Sequence, residues 1–141
     1  LVKAAEHCVT FNTPLIVFTS SGGMRMMTNQ YSLQALPKTT IAVQMLKDAR
    51  LPYIVVLTDP TSGGVSASYA SLGDITLAEP KASIMFAGAS VTKNTTGEVM
   101  PEDVQKAEYL LEHGFIDQIV HRNDLRDNLA QIISTLLKRA A

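Results

Sequence analysis

Continuous apolar runs alternate along the chain with segments in which apolar residues recur at helical spacing. This alternation predicts strands followed by helices. Two apolar runs, 15–19 and 52–58, are continuous and rich in β-branched residues, as is typical of parallel strands buried on both faces. Shorter apolar runs predict further strands at 74–80, 83–86 and 115–120. Helical spacing predicts helices at 2–11, 29–49, 65–72, 101–114 and 124–138.

Local signals refine these elements. Pro37 lacks an amide donor and is expected to bend or divide the second helix. The polar stretch 87–100 predicts a loop, and Asn123 or Asp124 is expected to cap the last helix. The alternation of strands and helices predicts a single α/β domain with a largely parallel sheet.

Composition narrows the class of protein. The 141 residues carry 12 Lys+Arg against 13 Asp+Glu, so neither a polybasic arm for nucleic acid nor an acidic tail is expected. Cys8 is the single cysteine, which excludes a disulfide framework or a multi-cysteine zinc cluster within this sequence. No apolar run approaches the roughly 20 residues of a membrane span. We therefore expect a cytoplasmic protein, with the plastid stroma as the alternative, and Leu1 in place of Met indicates a piece of a longer chain.

The most informative motif occurs twice. Thr-Ser-Ser-Gly-Gly stands at 19–23 and Pro-Thr-Ser-Gly-Gly at 60–64, each after a predicted buried strand. Glycine pairs let a ligand approach the backbone, and their N–H groups can hold an anion or a developing oxyanion. The alternative is tight packing where a strand meets a helix. Neither segment matches a phosphate-binding loop.

Side chains offer weaker candidates for catalysis. Gly64-Val65-Ser66-Ala67-Ser68 resembles half of a nucleophile elbow, but it lacks the final glycine. A serine nucleophile needs a base, and the three histidines are expected to be surface or capping residues: His7, His113 and His121. Three acids lie beside turn residues, where capping is the default role: Asp59, Asp74 and Glu79. The residues thus favour polarisation of a carbonyl by backbone amides and reveal no side-chain acid or base.

Longer segments resemble one known family, the carboxyltransferase β subunit of acetyl-CoA carboxylase. The most specific block is Asp59-Pro60-Thr61-x-Gly63-Gly64-Val65-Ser66-Ala67-Ser68. Other matching segments are Ser21-Gly22-Gly23-x-Arg25-Met26, Leu72-Gly73-Asp74, Ala78-Glu79-Pro80-Lys81-Ala82, Phe86-Ala87-Gly88 and Glu108-Tyr109-Leu110-Leu111-Glu112-His113-Gly114. The resemblance covers nearly all of the sequence in order.

The resemblance implies a fold and a reaction. The fold is the crotonase type, also seen in Clp-type proteases, a β-β-α spiral superhelix, and it would be incomplete in this chain. The reaction is transfer of a carboxyl group from carboxybiotin to acetyl-CoA, which gives malonyl-CoA. No covalently bound cofactor is implied, since carboxybiotin arrives on a biotin carboxyl carrier protein and a carboxyltransferase α subunit completes the active site.

The resemblance also implies roles for single residues. Gly22 and Gly23 would donate their backbone N–H groups to the oxyanion. The implied substrate-binding residues are Met24, Arg25, Gly63, Gly64, Val65, Phe86, Ala87 and Gly88. No metal site is implied in residues 1–141. The family's zinc ribbon and the first part of its core would lie upstream or on an equivalent chain, which would have to cover the apolar faces left open here.

Two departures from the family pattern leave other hypotheses open. Met24 and Thr28 replace a small residue and a glutamate near the oxyanion site, and Ser90 and Lys93 replace an arginine and a glutamate. These changes suit either a carboxyltransferase with an altered pocket or a biotin-independent crotonase-type enzyme acting on a specialised thioester. A non-catalytic partner subunit is the third hypothesis.

Overall fold

The structure, a computed structural model, describes residues 1–23, 25–28, 30–97, 101 and 103–137. The strands within these ranges are β1 (Leu15–Gly22), β2 (Tyr53–Ser62), β3 (Ile75–Ala78), β4 (Ile84–Met85) and β5 (Gln118–Ile119). The helices are α1 (Val2–Phe11), α2 (Gln30–Asp48), α3 (Ala89–Thr96), α4 (Ala107–Glu112) and α5 (Leu125–Leu136). Within the described ranges, no helix has both the length and the apolar character needed to cross a bilayer.

All strand pairs of the sheet are parallel, as the sequence predicts. The order is β1-β2-β3-β5, and β4 pairs with the end of β2. Parallel pairing of consecutive strands requires a crossover, which α2 supplies between β1 and β2. The carboxyl ends of β1 and β2 therefore lie side by side at one edge.

Strand β2 is the centre of the core. Tyr53, Val55 and Leu57 belong to the apolar cluster that also contains residues of α1 and α2. Ile54 and Val56 belong to a second cluster on the other face, formed with α5. Each of these five side chains is at most 4% exposed, and burying an aliphatic side chain contributes about 1.5–3 kcal/mol. The prediction of a strand covered on both faces is confirmed.

Helix α2 continues through Pro37, so the expected division at this residue is wrong. Pro37 lies on the exposed side, where water can bond the carbonyl that loses its amide partner. The hydroxyls of Thr39 and Thr40 also donate to the carbonyl of Leu36, at 2.9 and 3.0 Å. The helix therefore continues past this exposed proline, because its carboxyl-terminal half is anchored in the core.

The predicted helix 65–72 is replaced by irregular turns that end in a short 3-10 helix at Tyr69–Ser71. Serine hydroxyls donate hydrogen bonds to carbonyl groups that would accept from backbone N–H groups in a regular helix. The hydroxyl of Ser66 donates to Gly63 O at 2.8 Å, and that of Ser68 donates to Gly64 O at 2.6 Å. Such local bonds compete with helical hydrogen bonding.

The predicted loop 87–100 contains helix α3, which is a second correction. Gly88 precedes the helix in an extended conformation, and Gly97 ends it in the left-handed region. Within the helix, the hydroxyls of Thr95 and Thr96 donate to carbonyls four residues earlier, a bond that threonine can make without leaving the helical conformation. Residues 98–100 of this prediction lie outside the described residues.

Helix α4 begins at Ala107 and not near Pro101. Lys106 is extended because it forms an antiparallel bridge with Ser83. Ala107 N–H also donates to Ala82 O at 3.0 Å. These contacts with the segment before β4 outweigh the local helix-start signal.

The expected side-chain cap of the last helix is also absent from the described bonds. Asp124 stands at the N-cap of α5 without a side-chain bond. In the turn before it, His121 Nδ1 accepts from the N–H of Asn123 at 3.4 Å. The histidine therefore caps the short 3-10 turn before α5, and among the described bonds neither Asn123 nor Asp124 caps the last helix with its side chain.

Candidate functional site

The two Ser-Gly-Gly segments meet at the carboxyl edge of the sheet. Ser21 pairs with Thr61 and Gly22 pairs with Ser62, so the segments lie next to each other with an offset of one residue. The offset brings the Ser62 hydroxyl to the carbonyl of Ser21, to which it donates at 2.9 Å. Ligands of parallel α/β sheets bind at this edge.

A buried cluster of threonines sets this arrangement. The register shifts between Thr19 and Ser21, where β2 contains two more residues than β1. The hydroxyls of Thr58 and Thr61 both donate to the carbonyl of Thr19, at 2.6 and 3.0 Å. Thr61 is fully buried, so its hydroxyl has to be satisfied within the protein.

A cavity of about 270 Å³ opens beside the two segments. One wall is the amino-terminal half of α2, including Ser32 and Thr39. The other lining residues are Gly23, Arg25, Gly64, Val65, Ser68 and Tyr69. Among the described residues that line it, Arg25 is the only charged one, so the cavity favours an anionic group. Burial raises the pKa of Tyr69, which keeps its hydroxyl neutral at physiological pH.

The glycine amides differ in what they bind. The N–H of Gly23 donates to Ser21 Oγ at 3.1 Å. The N–H of Gly63 is shared between the carbonyls of Met85 and Phe86, each at 3.1 Å. The Gly63 amide therefore ties the turn to β4, whereas the Gly23 amide bonds only a rotatable hydroxyl.

A second cavity, of about 300 Å³, lies on the other side of segment 63–71. Its lining is mainly apolar and includes Ile84, Met85, Phe86, Leu110 and Phe115. Phe86 and Phe115 are 71% and 72% exposed, so apolar rings stand at this face. The short segment 63–71 thus separates a cavity with a cationic side chain from an apolar one.

Comparison with known proteins identifies the family. The sequence model of the protein family described as the carboxyl transferase domain matches residues 1–140. The chain belongs to the carboxyl transferase domain family. The predicted family resemblance is thereby confirmed.

Curated relatives of this carboxyl transferase domain share one name. The protein from Bradyrhizobium sp. (strain ORS 278), an acetyl-coenzyme A carboxylase carboxyl transferase subunit beta, is 55% identical over 141 residues. The protein of the same name from Sinorhizobium medicae (strain WSM419) is 52% identical over 141 residues. The alignments cover 100% of this chain but only 45% and 46% of the relatives, so the chain spans less than half of their length.

Solved structures agree on the fold. Transcarboxylase 12S, a hexamer crystallised with methylmalonyl-coenzyme A, matches with a TM-score of 0.80 and 26% identity, over 94% of this chain and 26% of the other. The Pseudomonas malonate decarboxylase hetero-dimer matches with a TM-score of 0.81 and 20% identity, over 95% of this chain and 61% of the other. The predicted crotonase-type α/β fold, present here in part, is confirmed.

The predicted site residues of this carboxyl transferase domain fall into two groups. Gly23, Arg25, Gly64 and Val65 line the first cavity, and Gly22 adjoins it. In the second group, Phe86 lines the apolar cavity, Ala87 O accepts from Gln105 Nε2 at 2.7 Å, and Gly88 precedes α3. Met24 lies outside the described residues. The roles of both groups stay predictions.

Sequence reasoning did not single out Ser21 and Ser62 as site residues. Both hydroxyls bond the backbone beside the first glycine pair: Ser21 Oγ accepts from Gly23 N–H, and Ser62 Oγ donates to Ser21 O. The signal was the serine before Gly-Gly in both copies of the motif. The one-residue offset between the strands gives the two serines different hydrogen-bond partners. No pattern in the sequence indicates this offset.

The other candidate side chains have structural partners. His113 stacks on Tyr109 with ring centroids 3.9 Å apart, and the His7 ring contacts Phe11 at 4.4 Å with the two planes tilted by 39°. The acids bind backbone or a cation: Asp59 accepts from Ser83 N at 2.7 Å, Asp74 from Tyr53 N at 2.9 Å and Glu79 from Arg122 Nε at 2.6 Å. Within the described ranges, no group of three or more His, Cys, Asp or Glu could hold a metal ion.

Two of the residues that depart from the family pattern can be placed. Thr28 ends a short 3-10 helix, and its hydroxyl donates to the carbonyl of Arg25 at 2.7 Å. It therefore fixes the backbone of the cavity's charged residue. Lys93 is an exposed residue of α3, whose carbonyl accepts from the N–H of Gly97. Nothing is described for the Ser90 side chain.

Proposed function

We propose that the protein containing this chain transfers a carboxyl group from carboxybiotin to acetyl-CoA and so forms malonyl-CoA. The observation that carries the proposal is the Gly22-Gly23 pair, which ends a parallel strand beside a cavity that contains one cationic side chain. The shared name of relatives that are 52–55% identical over the whole chain supports the same reaction.

The glycine pair is suited to hold an enolate oxygen. A Cβ placed on Gly22 would find no atom of the described residues within 4 Å, so a ligand can approach the backbone there. Gly23 has φ +115°, a conformation that side chains rarely adopt. Two N–H donors aimed at the thioester oxygen stabilise the negative charge that develops when the α-carbon loses its proton.

The cavity supplies no base for this proton. Its described lining contains serine, threonine, tyrosine and arginine but neither a carboxylate nor a histidine. Carboxybiotin supplies both the carboxyl group and, once that group leaves, a ureido nitrogen that can accept the proton. The residues of this chain then bind and orient the thioester, and Arg25 attracts an anionic group of the substrate.

Further polypeptide completes the site in this proposal. A carboxyltransferase α subunit provides the biotin side, a biotin carboxyl carrier protein delivers carboxybiotin, and the remainder of the β subunit or an equivalent chain covers the open sheet. The exposed rings of Phe86 and Phe115 support such contacts, because isolated domains rarely leave clustered aromatic side chains in water. The cytoplasmic location stays a prediction.

The proposal is tested by carboxyl exchange between malonyl-CoA and biotin, with the full-length protein assembled with its α partner. Gly23→Val removes a correctly oriented donor and is expected to lower kcat at least about 100-fold. Gly97→Val is the matched control, because Gly97 also has a positive φ, of +75°, but lies at the end of α3. It is expected to retain exchange.

Three outcomes would contradict the proposal. No exchange by the correctly assembled wild-type complex would exclude carboxyl transfer to biotin. Turnover of an acyl thioester without biotin would favour a decarboxylase-type enzyme. Unchanged exchange in Gly23→Val would favour a structural role for this chain.

A further inference from the structure

The proposed oxyanion donor already has an acceptor in the structure. The N–H of Gly23 donates to Ser21 Oγ at 3.1 Å. Ser21 is the second-last residue of β1, and the exposed Gly23 directly follows the strand. An oxygen of the protein therefore occupies the position that a substrate oxyanion would take on this amide.

The Ser21 backbone is fixed while its hydroxyl remains able to rotate. Ser21 pairs with Thr61 in the sheet, and its carbonyl accepts from the Ser62 hydroxyl at 2.9 Å. A serine side chain has three staggered rotamers about χ1, so the hydroxyl can leave Gly23 without movement of the strand. Among the described residues, the nearest atom to a Cβ placed on Gly23 is Ser62 Oγ at 3.9 Å, which leaves room for a ligand oxygen beside the glycine.

We propose that the Ser21 hydroxyl is an internal substitute for the oxyanion, bound to the Gly23 N–H in the free protein and displaced when the anionic substrate oxygen binds. The inference rests on the proposed function, because it assigns Ser21 a positioning role in the same site. The hydroxyl keeps the amide oriented and lowers the affinity for every ligand oxygen that has to displace it.

The displaced bond sets the size of the effect. A neutral hydrogen bond within a protein contributes a net free energy of about 1 kcal/mol relative to hydrogen bonds with water. Removing the Ser21 hydroxyl is therefore expected to tighten oxyanion binding about fivefold. A charged acceptor still displaces the hydroxyl, because charge-assisted hydrogen bonds are roughly twice as strong as neutral ones. A neutral acceptor gains about as much from the amide as the hydroxyl does, so Ser21 offsets its whole gain but only about half of the gain of the enolate oxygen.

The test measures binding of two probes to the full-length protein in its assembled complex by calorimetry. S-carboxymethyl-CoA carries a carboxylate in place of the enolate oxygen, and S-ethyl-CoA carries no oxygen there. The Ser21→Ala variant is expected to bind S-carboxymethyl-CoA about fivefold more tightly than the wild type does. Binding of S-ethyl-CoA is expected to stay unchanged.

Three variants make the result specific. Ser21→Thr keeps the hydroxyl and is expected to match the wild type. Ser21→Cys keeps the size but offers only a weak acceptor, so it is expected to tighten binding of the carboxylate probe as Ser21→Ala does. Ser20→Ala is the neighbouring control, because Ser20 is exposed and no hydrogen bond of its hydroxyl occurs among the described residues.

The outcomes separate this inference from the proposed function. If the wild type prefers the carboxylate probe but neither Ser21→Ala nor Ser21→Cys changes its affinity, only the inference is overturned. Weaker binding by both variants would overturn it as well, since the hydroxyl would then be a ligand of the oxyanion. Equal affinity of the wild type for the two probes would overturn the oxyanion site and this inference with it.

Discussion

Asp59 shows how a candidate catalytic carboxylate serves the structure. Its Oδ1 accepts from the N–H of Ser83 at 2.7 Å and so ties the residues inserted in β2 to the segment before β4. The backbone N–H and the side chain of Ser83 lower the pKa of Asp59, because both favour the charged carboxylate. This bond lies four residues before Gly63, whose own N–H binds β4.

The lowered pKa predicts a pH-dependent contribution to stability. Because the folded-state pKa is below the unfolded one, the contribution is fully present above the unfolded pKa of about 3.9 and is lost as pH falls through the folded value. Asp59→Asn is therefore expected to lower the urea midpoint of the full-length protein at pH 7. The difference from the wild type is expected to narrow below about pH 4.

Asp103→Asn is the control for this prediction. Asp103 is exposed, and no hydrogen bond of its carboxylate occurs among the described residues. Its substitution is expected to leave the urea midpoint nearly unchanged at both pH values. A difference between Asp59→Asn and the wild type that stays constant across the acid range would show that the charge of Asp59 contributes nothing.

At the scale of elements, the pairing of β1 with β2 decides where both glycine pairs lie. The register shift adds residues to β2, and the cluster of Thr19, Thr58 and Thr61 holds the shifted strands together. The Thr61 hydroxyl lies within hydrogen-bond distance of carbonyls of both strands, Thr19 O at 3.0 Å and Thr58 O at 2.9 Å, and its one hydrogen can serve either. Together with the Thr58 hydroxyl, which also bonds Thr19 O, it holds the spacing of the two turns.

Removing this hydroxyl is expected to be costly. Thr61→Val preserves the shape but removes a buried hydroxyl that bonds the cluster of Thr19 and Thr58, which destabilises the fold by about 1–3 kcal/mol. Thr61→Ser keeps the hydroxyl and is expected to lose less, since only a methyl group is removed. Urea unfolding of the full-length protein measures both changes.

Thr76→Val provides the comparison within the same sheet. Thr76 is also buried, at 8% exposed, and its hydroxyl makes no hydrogen bond to the described residues. It is expected to tolerate valine at little cost. Equal destabilisation of the two valine variants would mean that the hydrogen bonds of Thr61 do not carry the pairing.

At the scale of the whole molecule, one edge of the sheet is open within the described residues. The order β1-β2-β3-β5 places β1 at this edge, and its eight residues include no charged side chain or proline. Phe18 on this strand is 56% exposed. Natural proteins cover or interrupt such edges, so we propose that further polypeptide of the β subunit, or an equivalent chain, pairs with β1.

Hydrogen exchange of the full-length protein tests this pairing. In a parallel sheet, successive N–H groups of a strand point to its two neighbours, so an open edge leaves every second amide of β1 unprotected. We expect all amides of 16–20 to exchange slowly, as those of the central strand β2 do. Fast exchange of every second amide would show that β1 is a true edge.

The sequence by itself determined the elements whose signals are local. Continuous apolar runs predicted β1 and β2, apolar spacing predicted α1, α2 and α5, and two Gly-Gly pairs indicated the edge where the cavity lies. These features depend on which residues are adjacent along the chain. Burial of apolar faces then reinforces each local preference.

The tertiary structure decided what depends on contacts between distant residues. The late start of α4 follows from the bridge between Lys106 and Ser83, which overrides a local helix signal. The bond between Ser62 and the Ser21 carbonyl exists only because the register shift brings the two repeated motifs to within one residue of each other. A pattern along one chain predicts strands, but their register is set by side chains that meet across the sheet.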